Sequence, residues 1–293
     1  MIAHGTRARR IAAPAIAITL MSAALMAQGA QKIALVTVVS DNGSRLGDLA
    51  AKDVVVHEDK TERKVISVEP ATEPLVIALL LDTAAASAGR QYPVQDLRKA
   101  VSNFVKTVTA AQPDAQIGIM TVAAAAVNAL DFTTKADEID KVVQRLYPDQ
   151  QGAAVMLEAL SATSGKFGEQ QTPRRVIVTV DFNSPEGGSS SSMKKVAEDV
   201  RKSGATVWSA SVRGTGASAA SREDLLNAVS QASGGMRLSA VEPSGLDAML
   251  AKIANSITAQ YSVTFARPDA SPAKAVRMDT TRGAKILLTP WMR

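Results

Sequence analysis

The chain has 293 residues, 46% of them hydrophobic and only 3% aromatic. That is enough aliphatic material for a full α/β core plus an appendage, and it leaves few rings for stacking on bases or sugars. There is no cysteine, which excludes thiol catalysis, disulfide staples and any Cys-ligated metal.

Arg7, Arg9 and Arg10 precede an uncharged run, 11–27, and small residues follow at Ala27, Gly29 and Ala30. This order predicts a secretory signal peptide over residues 1–29, cut after Gly29 or, nearly as well, after Ala27. The rival reading is a retained membrane anchor, but the run is short for a span and contains Pro14. No cysteine follows it to carry a lipid. Removing the three arginines takes the formal net charge from +5 to +2. A nucleic-acid footprint needs a clustered basic face. Arg174-Arg175 and Lys194-Lys195 are scattered pairs that read as solvated surface. The expectation is a mature protein in the periplasm or outside the cell, with no permanent membrane span and no nucleic-acid partner.

The mature chain opens as β structure. Residues 33–39 are rich in β-branched side chains, and Asp41-Asn42-Gly43 is a turn signal. Residues 53–57 read as a strand, 58–60 as a turn and 64–68 as the return strand. Pro70 and Pro74 mark a linker. From Leu75 onward strands and helices alternate, which predicts a mainly parallel sheet with helices on both faces. Strands are expected at 75–81, 116–122, 175–180, 205–212 and 236–238, with a short antiparallel edge strand at 125–132. Helices are expected at 94–109, 136–146, 153–163, 192–202, 221–233 and 244–259. Gly204 suits the position just past a helix end. Residues 260–265 and 284–288 return to strand, with a turn at 269–272. The expected organisation is an N-terminal β segment (30–72), a Rossmann-like α/β domain (73–260) and a C-terminal β segment (261–293) that pairs with the first.

Two apolar runs end on an aspartate, Leu79-Leu80-Leu81-Asp82 and Val178-Thr179-Val180-Asp181. Buried parallel strands deliver carboxylates to the sheet's carboxyl edge in this way. Together with the alternation, these runs resemble the von Willebrand factor type A (VWA) domain. Residues 36–43, 49–59 and 257–263 further resemble the exported bacterial "VWFA-related" proteins. The resemblance implies a cation site that takes an Asp and two Ser from a first loop, a Thr from a second and an Asp from a third. Asp82 and Asp181 match the two aspartates. Ala84 and Ala86 stand where the serines belong, and Ala153 where the threonine belongs. Mg²⁺ wants octahedral oxygen coordination, so the two carboxylates alone make a reduced site for Mg²⁺ or Mn²⁺. Thr83 and Ser87 are candidate substitutes, with Ser87 further round the loop. Thr83 is expected to point to the other face by strand alternation. The plainer reading is that Asp82 and Asp181 accept backbone N–H bonds and shape the loops.

The remaining motifs carry less chemistry. The run Gly187-Gly188-Ser189-Ser190-Ser191-Ser192 could cradle a phosphate, but it lacks the Gly-Lys-Ser/Thr ending and suits a flexible loop with a Ser helix cap. His57 is the only histidine of the mature chain. No Gly-x-Ser-x-Gly elbow accompanies it, so catalysis is the poorest reading. Leu225, Leu226 and Val229 read as core. The expected function is a non-enzymatic binding module without a cofactor, its cation site degenerate and its partner an unidentified protein. Its binding face would be the loops 82–87, 152–154 and 181–188, with Thr83, Ser87, Gly152, Asn183 and Ser184 as possible positions on it. The alternatives are a cation-dependent adhesion module using Asp82 and Asp181, and remotely a hydrolase.

Overall fold

The computed structural model describes residues 31–41, 47–84, 93–149, 153–168, 170–188, 191–213, 220–267 and 273–293. A six-stranded sheet forms the centre. Its strands, in chain order, are β5 (Leu75–Asp82), β6 (Gln116–Val122), β7 (Ala126–Thr133), β8 (Arg174–Asp181), β9 (Thr206–Val212) and β10 (Arg237–Ala240). Their spatial order is β10-β9-β8-β5-β6-β7. All neighbours are parallel except β7, which runs antiparallel to β6 at the edge.

β5 is buried along its whole length, which is why it reads as an unbroken apolar run. Its side chains alternate between two cores. Leu75, Ile77, Leu79 and Leu81 meet α1 (Val94–Ala111), α2 (Ala136–Gln144) and α6 (Leu246–Ile257). Val76, Ala78 and Leu80 face α3 (Met156–Gly168), α4 (Met193–Ser203) and α5 (Ala220–Ala232). Helical spacing places Leu97, Val101, Phe104 and Val108 on the buried side of α1. Ser192 caps α4 by accepting from Lys195 N, and Gly204 closes it with φ 66°.

The remaining strands build two smaller antiparallel sheets from both ends of the described chain. One has the order β13-β1-β11-β4 and the other β12-β2-β3. The members of the first are β1 (Gln31–Val39), β4 (Val65–Pro70), β11 (Gln260–Ala266) and β13 (Lys285–Met292). Those of the second are β2 (Val54–Glu58), β3 (Thr61–Arg63) and β12 (Val276–Thr280). Ala34, Val36, Val56, Phe265 and Met278 share the core between them.

Three expectations are corrected. The return partner of β2 is the short β3, paired Glu58 to Thr61. Residues 65–70 leave that hairpin and pair with β11 instead, since β4 can bury Val68 against the other sheet. β12 went unread, because Val-Arg-Met-Asp-Thr buries only Met278 and shows little apolar signal. Finally, Arg174 is not solvated surface. It is 1% exposed and donates to Gln260, Glu73, Ala71 and Gln112, joining the central sheet to the four-stranded one.

Candidate functional site

The ends of β5 and β8 lie side by side, with Leu81 opposite Val180. Asp82 and Asp181 therefore emerge together at the carboxyl edge, both fully buried. Asp82 Oδ1 accepts from Ala84 N at 3.0 Å and Ser184 Oγ at 3.1 Å, and Oδ2 accepts from Phe182 N at 3.2 Å. Asp181 Oδ1 accepts from Asn183 N at 3.1 Å.

A cation already sits between them. Arg222, near the start of α5, is 1% exposed, and its Nη1 lies 2.8 Å from Asp181 Oδ1 and 3.7 Å from Asp82 Oδ2. Its Nε donates to Glu186 Oε2 at 2.7 Å and its Nη2 to Ala154 O at 3.3 Å. Glu186 in turn accepts from Leu157 N at 3.0 Å, one of the N–H groups that the first turn of α3 leaves without a helical partner. One guanidinium thus ties three edge segments to α5.

Burial, and then the neighbouring Asp181 charge, push the Asp82 carboxyl up to about 7, against the opposing pull of Arg222. Burial likewise raises Glu186. Burial works against the charged form of Arg222, but Asp181, Glu186 and Asp82 outweigh it and hold the guanidinium above its ordinary value.

The residues present do not fit a divalent cation at this position. Ala84 offers no side-chain oxygen and is engaged as a backbone bridge to Asp149. Ala153 likewise has none, and the Arg222 guanidinium lies within ion-pair range of both aspartates. Among the described residues, no group of three or more His, Asp or Glu side chains is arranged to hold a metal ion.

The other singled-out residues fall as follows. Ala86, Ser87 and Gly152 lie outside the described residues. Thr83 is buried and turns its hydroxyl toward Val122 O at 3.5 Å. Asn183 adopts φ 61° and donates through Nδ2 to Arg213 O at 3.2 Å. Ser184, on the third loop, is fully buried and bonded to Asp82 and Ala84 O. His57 lies on β2, opposite Arg277 and Glu62, in a different sheet. Arg222 and Glu186 went unread. The available signal was that Arg222 shares the stripe of Leu225, Leu226 and Val229 at i, i+3, i+4 and i+7, where a charge is out of place unless paired.

Beside Thr83 the edge opens into a groove of about 480 Å³ under the β6–β7 hairpin and the end of α2. Its floor includes Ala123, Val142 and Leu146, and its rim Val127, Tyr147 and Arg145. Val127 is 54% and Tyr147 72% exposed. The Arg98 guanidinium lies 5.1 Å from the Tyr147 ring centre, in cation–π range, and donates to Leu146 O at 2.6 Å. Arg145 is exposed and makes no ion pair among the described residues.

Residues 77–183 match the family described as von Willebrand factor type A domain. Similar solved structures include a von Willebrand factor type A protein from Catenulispora acidiphila, at TM-score 0.52 and 10% identity, covering 89% of this chain and 72% of that one. Proximal thread matrix protein 1 from the mussel byssus, solved with a zinc-occupied MIDAS motif, matches at TM-score 0.54 and 15% identity. That match covers 72% of this chain and 50% of the mussel chain. No curated protein sequence matches the chain. At these identities the structural likeness speaks for the fold, and the family match speaks for residues 77–183: the central segment is similar to a von Willebrand factor type A domain.

Proposed function

We propose that this chain is an exported, non-enzymatic protein-interaction module that docks its partner at the carboxyl edge of the central sheet without a bound cation. The observation that carries the reading is the groove beside Thr83, where an exposed Tyr147 packed by Arg98 and an exposed Val127 flank a hollow lined by Ala123, Val142 and Leu146 together with Thr121 and Asp149. An exposed aromatic side chain beside a hollow of mixed polar and apolar lining, with an arginine on the rim, has the residue types of an interface hot spot. The basic and then apolar N-terminal segment supports export.

The docking test is selection of a random-peptide display library on the full mature chain, followed by binding of the enriched peptides to Tyr147→Ala and Val127→Asp. Enriched peptides should weaken by about tenfold or more on both variants. No enrichment, or equal binding to the variants, would refute docking at this groove. Export is checked by N-terminal sequencing of the secreted protein, which should begin at or near Ala30. Turnover of a small substrate that His57→Ala abolishes would replace the whole reading with a hydrolase.

A second reading keeps a divalent cation at Asp82 and Asp181. It is favoured by the two carboxylates remaining adjacent, and it requires that Asp82→Ala weaken Mg²⁺ or Mn²⁺ binding.

A further inference from the structure

We infer that the Arg222 guanidinium is a built-in replacement for the divalent cation at this edge, a permanent internal cation that organises the loops a metal would otherwise organise. This decides between the two readings above and does not depend on where a partner docks. Partner binding in the groove and stability of the Arg222 cluster are separate measurements.

The argument is one of position, charge and donor geometry. A cation at a sheet edge has to neutralise the carboxylates that parallel strands deliver there, and to tie their loops together. Arg222 does both. Its Nη1 bridges Asp181 and Asp82, its Nε takes Glu186, and its Nη2 takes the Ala154 carbonyl. Ala154 N and O bond Pro185 and Gly187, so the second and third loops close on each other around the guanidinium. The planar fork supplies directional donors to oxygens on three segments, as a metal's coordination sphere would, and it stays charged at any working pH.

The substitutions at the loops fit the same account. Hydroxyls at positions 84 and 153 would serve a metal as ligands, but a guanidinium is a donor and needs acceptors. The carboxylates and the Ala154 carbonyl are acceptors, and alanines at 84 and 153 add no competing side-chain donor. The remaining hydroxyl, Ser184, donates to Asp82 and so shares its Oδ1 with Ala84 N, leaving Oδ2 facing Arg222. The place of Arg222 on the apolar stripe of α5 carries the guanidinium inward, with 1% of the residue left exposed.

The test uses the full mature chain and three arms. First, wild-type protein is unfolded thermally in EDTA and in millimolar Mn²⁺ or Mg²⁺, and Mn²⁺ binding is followed by electron paramagnetic resonance. No thermal shift and no bound Mn²⁺ are expected. A stabilisation by either ion that Asp82→Asn abolishes would overturn the inference. Second, Arg222→Met leaves buried carboxylates without their cation and should lower the folding equilibrium constant by about a hundredfold or more at pH 8. A loss of less than threefold would also overturn it. Third, Arg222→Lys keeps the charge without the fork and should fall between wild type and Arg222→Met. A lysine variant as unstable as the methionine one would show that a positive charge at this position contributes nothing, against the inference. If Arg222→Met does not fold, the metal-binding arm on the wild-type protein decides.

Discussion

Replacing Arg174 by methionine sets two opposing effects against each other, and their sizes decide the outcome. The guanidinium is 1% exposed and makes no ion pair among the described residues. Burial lowers its pKa to about 10, with the Glu73 and Asp114 charges only partly offsetting. A depression of that size means that holding the charge inside costs about 3 kcal/mol, which the methionine would recover. Against this stand four acceptors: Gln260 Oε1 at 2.9 Å, Glu73 O at 2.7 Å, Ala71 O at 3.2 Å and Gln112 Oε1 at 3.3 Å. Hydrogen bonds from a charged donor contribute about 1.5–3 kcal/mol each, so even at the low end the four together are worth roughly 6 kcal/mol. The losses win by about 3 kcal/mol, which for a chain of this size lowers Tm by on the order of 10 °C. Gln260 also donates to Thr37 Oγ1 at 3.1 Å, so the damage should reach β1. Urea unfolding followed by circular dichroism at pH 7 measures the effect. Unchanged or increased stability in Arg174→Met would refute the reasoning, because it would mean that the charge burial outweighs the bonds.

Three further outcomes follow from the same geometry. Asp82 is held near pH 7 in the folded chain against a usual value of 3.8. Between these values the unfolded chain has lost its proton while the folded chain keeps it. Stability should therefore fall as pH rises through that window, by up to about 4 kcal/mol, and level off above pH 7. Asp82→Asn should flatten this slope in a Tm-against-pH series, and a slope that persists in the variant would discount Asp82 as its source. Gly235→Ala would place a Cβ 2.0 Å from Val207 O, a backbone clash that no rotamer relieves. The expected cost is about 3 kcal/mol or more, read as loss of soluble protein, and a variant of normal stability would contradict the packing. Ser192→Ala removes the acceptor for Lys195 N at the start of α4 and should cost about 1 kcal/mol in urea unfolding. No change there would mean that water caps the helix equally well.

Local features of the sequence were readable because they depend on near neighbours. β5 announces itself as an unbroken apolar run, and β8 as a mainly apolar one broken by Thr179, because both faces of a central parallel strand are covered. The antiparallel edge at β7 and the caps of α4 at Ser192 and Gly204 follow from residue type and turn chemistry. The missing side-chain oxygens at Ala84 and Ala153 needed only the residue names once Asp82 and Asp181 were placed. The packing of the exposed Tyr147 ring was not readable, since it depends on Arg98, 49 residues earlier in the chain, being brought to the same edge.

The sequence by itself determined the alternation of strands and helices, the delivery of two carboxylates to one sheet edge, and the presence of alanines, with no side-chain oxygen, at positions 84 and 153. Only the tertiary structure decided what neutralises those carboxylates. Arg222 lies 41 residues from Asp181 in the chain and pairs with it at 2.8 Å. No local propensity encodes such a pair. In Ser-Arg-Glu-Asp-Leu-Leu a surface arginine at a helix start and a buried one look alike, and the apolar stripe marks the position without naming its partner. The same holds for Arg174 and for β4. Desolvating a guanidinium, or moving a strand between sheets, is favourable only once distant segments have packed and supplied the acceptors, so the choice belongs to the assembled fold.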